Sequence, residues 1–239
     1  RKKFSEIEKL GWIENKSSGK GSVGITFEKL LNIESNELEI PDFNAVIEIK
    51  TKSSYFKNIF PITLFSATCD GEYLFELQRI REKYGVPIKE YNTKVLFVTL
   101  YGNKFSDIGK FKKGKLCVDY NEEKVYFLII NNYGKVIDCQ AYWSFELLYN
   151  KLYRKLKYLA FVEVDRKILN KKLFFKYKSI TIYCLKDFQT FLYLLDRGYI
   201  CINIKMGIYK WGPRIGQIHD HGTGFQILLS DLDKLFYKI

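Results

Sequence analysis

Pro41-Asp42-Phe43, followed by Val46-Ile47-Glu48-Ile49-Lys50, constrains this chain more than any other stretch, because it puts two carboxylates and a lysine where one strand gathers them. Alternate side chains of an extended strand share a face, so Glu48 and Lys50 point one way while Val46, Ile47 and Ile49 supply apolar packing. Asp42 sits just upstream, beside a proline that rigidifies the approach. Two convergent carboxylates make an oxygen site suited to a hard cation such as Mg²⁺, and an adjacent ammonium orients a water or neutralises charge developing on a phosphate. That is the chemistry of metal-dependent phosphodiester cleavage. The same short pattern, D-x5-E-x-K, also fits a strand that simply ends in solvated charges.

With 239 residues, 47% of them hydrophobic and 17% aromatic, the chain is long enough to bury a substantial core as one large domain or two small lobes. Its 39 Lys+Arg against 27 Asp+Glu give a formal charge of +12 and a pI near 9.3. That balance favours polyanionic partners through phosphate contacts and counterion release, with nucleic acid first and a membrane surface second. High Lys, Ile, Tyr and Phe with low Pro also match an AT-rich coding sequence, so a soluble basic protein is the plainer alternative. Five cysteines, Cys69, Cys117, Cys139, Cys184 and Cys201, are an odd number without any C-x2-C pair, which argues for a reducing compartment and against a zinc knuckle or disulfide framework. No apolar run approaches the roughly 18 residues that span a bilayer, and no secretion signal is present. A cytoplasmic protein is expected. The chain begins at Arg1 rather than methionine, as a trimmed protein or a part of a longer one would.

The periodicity predicts a mixed α/β chain. A short helix runs from Phe4 to Trp12, a flexible loop over Ser17-Ser18-Gly19-Lys20-Gly21, and a helix from Val23 to Ile33 that carries Glu28. After the Asp42–Lys50 strand, Ile62-Thr63-Leu64-Phe65 reads as a second strand pairing with it in a hairpin or meander. A helix is expected from Glu72 to Lys83, then strands at Val95–Leu100, Leu116–Tyr120 and Val125–Ile130. A helix from Trp143 to Tyr158 precedes strands near Ala160–Val164 and Ile180–Cys184. Asp187 caps a helix reaching Leu195, with Gly198 beyond its end. The tail offers a strand from Tyr199 to Ile208, a glycine-rich loop, a strand from Gly224 to Leu229 and a last helix from Asp231. There is no internal repeat and no obvious linker.

That tail holds a second constellation. The chain's two histidines fall two residues apart in His219-Asp220-His221-Gly222-Thr223-Gly224-Phe225, downstream of Lys205 and Arg214. One reading is a metal site, although H-x-H with one nearby acid lacks a clear fourth ligand. A second is general acid/base work by a histidine. A third is base readout, since histidine and arginine donate to guanine O6 and N7 and an aspartate accepts from cytosine N4. A loop pinned by an Asp to backbone hydrogen bond is the structural alternative.

Taken together, GKGSVGITFEKLLNI (Gly19–Ile33), PDFNAVIEIKT (Pro41–Thr51), ITLFS (Ile62–Ser66) and HDHGTGFQI (His219–Ile227) resemble, in the same order, the MvaI/BcnI family of restriction endonucleases, which belongs with the MutH-like mismatch-repair nickase in the PD-(D/E)xK superfamily. A lone PD-(D/E)xK match is weak, whereas four ordered blocks are strong and cover nearly the full length. The resemblance implies a mixed central β-sheet flanked by helices in a restriction-endonuclease-like fold. It implies one nuclease domain over residues 1–239, with a catalytic lobe mainly in 1–160 and a recognition lobe mainly in 161–239, forming the walls of a DNA cleft.

It further implies that Asp42 and Glu48 bind Mg²⁺, that Lys50 positions the attacking water, and that Glu28 assists metal binding or holds the site together. In-line attack on the scissile phosphate would leave 5′-phosphate and 3′-hydroxyl ends. His219, Asp220 and His221 would read bases, with Arg214 and Lys205 as weaker candidates and Lys20 as a phosphate or active-site contact. Gln226 stands where the family pattern suggests a basic residue, so a phosphate or base contact is altered there. Lys151, Arg154, Lys155, Lys157, Lys171 and Lys172 either line the cleft or solubilise the exterior. A family member of this type acts as a monomer on a short pseudosymmetric site of the CC-x-GG kind, alongside a DNA methyltransferase acting on the same site. A MutH-like strand-specific nickase and a non-catalytic DNA-binding module are the other readings. Intact Asp42, Glu48 and Lys50 argue against the last, and the ITLFS and HDHGTGF elements favour the first.

Overall fold

The computed structural model describes residues 1–17, 19, 21–33, 40–53, 61–71 and 76–239. In chain order the elements begin with α1 (Lys2–Lys9), β1 (Ile13–Glu14), α2 (Ser22–Leu30), β2 (Ile47–Ser53) and β3 (Ile62–Ser66). They continue with α3 (Glu76–Tyr84), β4 (Val86–Ile88), β5 (Thr93–Leu100), β6 (Ser106–Ile108), β7 (Lys112–Asp119), β8 (Lys124–Asn131), β9 (Val136–Asp138) and β10 (Tyr142–Ser144). The rest are α4 (Phe145–Leu156), β11 (Tyr158–Leu169), β12 (Lys172–Leu185), α5 (Phe188–Asp196), β13 (Ile200–Ile208), β14 (Ile218–Asp220), β15 (Gly224–Ile227), α6 (Leu232–Leu235) and β16 (Phe236–Lys238). No described helix is long and apolar enough to cross a membrane, and all five cysteines are free thiols.

Two compact units emerge, each assembled from separate segments. The first takes Arg1–Ile62, Leu152–Lys186 and Leu228–Ile239; the second takes Thr63–Lys151 and Asp187–Ile227. In the first unit a five-stranded mixed sheet runs β1-β12-β11-β2, with β16 also on β12. Its one parallel pair is β11 with β2, which sets Leu159 opposite Glu48 and Phe161 opposite Lys50. Helix α2 packs on this sheet because Val23, Thr26 and Phe27 recur at helical spacing and are all buried. Phe27 lies 4.8 Å from the Tyr177 ring, and the Tyr177 hydroxyl donates to the Val23 carbonyl at 3.0 Å, fixing the helix against β12.

The second unit holds two sheets. One, with five strands, is ordered β10-β8-β7-β6 with β9 on β8; the other, with six, is ordered β3-β15-β13-β5-β4 with β14 on β13. Its core is aromatic: Trp143, Phe127, Phe191 and Phe225 are fully buried, and the Trp143 indole N–H donates to the Ala67 carbonyl at 3.1 Å. As expected from the sequence, Asp187 caps α5, accepting from the Thr190 amide at 2.6 Å.

Several expectations are corrected. ITLFS does not pair with the Glu48–Lys50 strand: β3 joins β15, while β2 takes β11 as its parallel neighbour. The strands near 160–164 and 180–184 are the inner ends of one long hairpin, β11–β12, turned at Asn170 and Lys171, which both take left-handed φ values of 51° and 63°. The Asp42–Lys50 strand begins only at Ile47, because Asn44 and Ala45 adopt φ of 52° and 54° and fold the chain back on itself. Helix α3 is described from Glu76, the expected start at 72 lying outside the described residues. Helix α4 starts and stops two residues inside its expected limits.

Candidate functional site

The turn before β2 explains why Asp42 and Glu48 belong together despite five intervening residues. Phe43 and Ile47 pair across it, the Phe43 amide donating to Ile47 at 2.9 Å and the Ile47 amide back to Phe43 at 3.1 Å. Asn tolerates the left-handed region; Ala does so at a cost of about 1 kcal/mol, a local strain set directly beside the carboxylates. The result places Asp42 Oδ2 2.7 Å from the Ile49 amide, so the aspartate caps the strand that carries Glu48.

Glu48 is only 1% exposed, and Ile49 on the other face is also buried, so this strand is covered on both sides. Glu48 Oε1 accepts from Lys50 Nζ at 2.5 Å and lies 3.7 Å from Lys155 Nζ on α4. Its other oxygen, Oε2, is buried and has no hydrogen-bond partner among the described residues. A buried carboxylate oxygen left unpaired costs free energy on the order of 1–3 kcal/mol or more, which a protein tolerates where a ligand completes the site. Desolvation pushes the Glu48 carboxyl above the ordinary glutamate range; Lys50 opposes this, Asp42 adds to it, and Lys155 opposes it more weakly. Glu28, on α2, is raised in the same way, first by burial and then by the charges of Asp42 and Glu48, with Lys50 opposing. The four expected catalytic residues thus form one electrostatic cluster within the first unit.

Among the described residues no group of three or more His, Cys, Asp or Glu side chains closes into a metal cage. Mg²⁺ does not require one, since it binds through one or two carboxylates and keeps waters or substrate phosphates in its remaining positions. Two carboxylates, one with an orphaned buried oxygen, fit such a cation.

The second unit carries the tail constellation. Strand β14 pairs with β13 so that His219 faces Gly207 and Asp220 faces Met206, and the His221 amide donates to the Lys205 carbonyl at 3.0 Å. The imidazoles belong to one chain of ring contacts. His219 stacks on Tyr209 at 4.1 Å and meets His221 edge-on at 4.4 Å, His221 lies near-parallel to Phe97 at 6.5 Å, and the Arg214 guanidinium lies over the Tyr209 ring at 4.6 Å. The sequence places Tyr209 in the same tail stretch without a role, and does not single out Phe97. Phe97 was legible as a large aromatic at a solvent-facing position of an alternating strand, where it remains 58% exposed. Asp220 accepts from the Gly222 amide at 2.8 Å, pinning the turn. Gln226 is buried in the sheet, accepting from Asn203 at 3.2 Å and donating to Thr63 at 3.1 Å. Lys20 lies outside the described residues.

A strand bearing acidic and lysine side chains beside a helical glutamate, set in a mixed α/β fold, is consistent with the restriction-endonuclease class of nucleases. The chain belongs to the MvaI/BcnI restriction endonuclease family, whose model matches residues 1–236. It is similar to the solved structure of restriction endonuclease MvaI in complex with cognate DNA, at 30% identity and a TM-score of 0.88, over 100% of this chain and 95% of that one. It is also similar to MvaI in the absence of DNA, at 29% identity and a TM-score of 0.65, over 100% of this chain and 94% of that one. No curated protein matches the chain significantly in sequence.

Proposed function

We propose that the protein is a type II restriction endonuclease that hydrolyses double-stranded DNA at a short pseudopalindromic site of the CC-x-GG kind, with Mg²⁺, leaving 5′-phosphate and 3′-hydroxyl ends. The observation that carries this reading is the buried, unpartnered Oε2 of Glu48 in a carboxylate cluster flanked by two lysines. Asp42 and Glu48 hold the cation, and Glu28 adds negative charge beside them. When bound, Mg²⁺ polarises the phosphate and lowers the pKa of a water. Lys50, 2.5 Å from Glu48, keeps that carboxylate oriented and holds the attacking water in line with the scissile bond. The new P–O bond forms as the P–O3′ bond breaks, and the departing 3′-oxygen takes up a proton.

Readout falls to His219, Asp220 and His221, with Arg214 and Lys205 beside them. His219 stacked on Tyr209, with His221 edge-on to it, presents imidazole edges at little entropic cost, because the rings are already held by one another. The net charge of +12 supports binding to a polyanion. The enzyme acts in the cytoplasm as a monomer, with a methyltransferase of the same specificity protecting host sites. Digestion of unmethylated plasmid with Mg²⁺, followed by sequencing of the ends, tests the reading. Linear fragments sharing a short site are expected. Nicked circles alone would transfer the assignment to a MutH-like nickase, and intact plasmid would remove the nuclease reading.

A further inference from the structure

Lys155 is a basic side chain that the acid-and-lysine pattern of β2 does not include. It sits on the last turn of α4 between Leu152 and Leu156, both fully buried, and β11 begins two residues after that helix ends. Leu159 then pairs with Glu48 across the parallel β11–β2 register. The backbone therefore fixes the origin of Lys155 relative to the catalytic carboxylate.

Its ammonium shares Glu48 Oε1 with Lys50 but on different terms. Lys50 is at hydrogen-bond distance, 2.5 Å, whereas Lys155 is at 3.7 Å, an ion pair without a hydrogen bond, and its side chain is 30% exposed. Without substrate, the ammonium groups of Lys50 and Lys155 offset part of the negative charge that Asp42, Glu48 and Glu28 gather. A cation entering such a site gains less than it would from two uncompensated carboxylates. A phosphodiester arriving at the site offers the looser ammonium a second anionic partner.

We propose that Lys155 couples cation binding to substrate binding, a reading that rests on the endonuclease assignment above. In the DNA-free protein it shares the charge of Glu48 and holds cation affinity down. With DNA present its ammonium turns to a non-bridging phosphate oxygen, and the charge of Glu48 becomes available to the cation. Such coupling is reciprocal, so the cation strengthens DNA binding by the same factor. The effect is to keep the metal site poorly filled until a phosphate is in place.

The test is calorimetric titration of Ca²⁺ into the full chain, alone and with a short duplex carrying a CC-x-GG site, for wild type, Lys155→Gln and Lys155→Arg. Lys155→Gln is expected to tighten Ca²⁺ binding to the DNA-free protein about fivefold or more and to shrink the enhancement conferred by the duplex by the same factor, the lower end of typical couplings. Lys155→Arg, which keeps the charge, is expected to restore wild-type behaviour. Thermal melts of the three proteins report that each is folded. Unchanged or weaker Ca²⁺ affinity in folded Lys155→Gln without DNA overturns the proposal. So does a variant that loses DNA affinity equally with and without Ca²⁺, the mark of a plain phosphate contact. Wild-type protein that cleaves plasmid yet loses coupling in neither variant leaves the endonuclease reading intact and removes only the role of Lys155. Wild type that neither binds Ca²⁺ nor cleaves removes both.

Discussion

Replacing Gly207 with alanine probes the histidine group without touching a histidine. Gly207 faces His219 across β13 and β14, and a Cβ added there would lie 2.8 Å from Phe97 Cζ and 2.9 Å from His221 Nε2. Attraction between non-bonded heavy atoms begins near 3.5 Å, so the His221 ring must retreat by about 0.6 Å. A hydrogen bond from that ring at about 2.9 Å would stretch to about 3.5 Å, the edge of a real bond. Losing one base contact is worth about 1–3 kcal/mol, or roughly 5- to 150-fold in discrimination at that base pair. Both obstructing groups are side chains, Phe97 itself largely exposed, so the sheet accommodates the methyl and the melting temperature is expected to move by only a few degrees. The assay is the ratio of kcat/KM on the cleaved sequence to kcat/KM on each single base-pair variant. Ratios preserved within about twofold at every position, in a protein that remains folded, would refute the assignment of His221 to readout.

Alanine at Asp42 or Glu48 should abolish Mg²⁺-dependent cleavage while sparing DNA affinity measured in Ca²⁺, and persisting cleavage removes the site. The buried glutamates also set a pH dependence. Burial raises the folded-state pKa of Glu28 and Glu48, so the folded chain retains protons that the unfolded chain releases, and metal-free stability must fall as pH rises through the interval from the ordinary glutamate value to the raised ones. Melts in chelator should show Glu48→Gln flattening that slope, and a parallel slope in the two proteins contradicts the argument. The opposite sign applies to Asp138. Burial would raise it, but hydrogen bonds from Arg79 at 2.6 and 2.9 Å and from Tyr84 at 2.8 Å hold it down to about 2. Its stabilisation is complete above the ordinary aspartate value and is lost as pH falls toward 2. Asp138→Asn should cost about 2–3 kcal/mol in urea unfolding at neutral pH, discounted for the partial exposure of Arg79, without altering sequence preference.

What the sequence made legible was short-range. Glu48 and Lys50 share a strand face by the two-residue period, and Glu28 sits on a helix whose apolar residues recur at 3.6, so both elements followed from neighbours a few positions away. Strand pairing did not follow in this way. The true partner of β3 is β15, more than 150 positions downstream, and nothing in ITLFS distinguishes that partner from the nearer β2. The long β11–β12 hairpin was hidden because Asp165, Arg166, Lys167, Lys176 and Lys178 interrupt the hydrophobic pattern, yet the ladder continues through them to a two-residue turn. The role of Tyr209 was not legible because it is a contact with His219, ten positions away, created by the β13–β14 pairing.

The carboxylate cluster and the histidine group are built on opposite physics, and each suits the task proposed for it. Glu48 is stripped of water, with one oxygen unpaired among the described residues and the other shared by two ammonium groups. On the proposed function, a carboxylate already desolvated by the fold needs no further reorganisation when the phosphate develops charge, which is where electrostatic catalysis gains most. The histidines, by contrast, are held by ring contacts on and just beyond a short strand, partly open to solvent, with Gly207 leaving room for His221 beside Phe97. Reading a base demands rigid placement of donors, not a stored charge, and rings packed on one another provide it without a buried ion. It follows that changes in the first cluster should act on rate and cation dependence, whereas changes in the second should act on the ratio between sequences. A variant of His219 that slowed cleavage equally on every sequence would contradict this division directly.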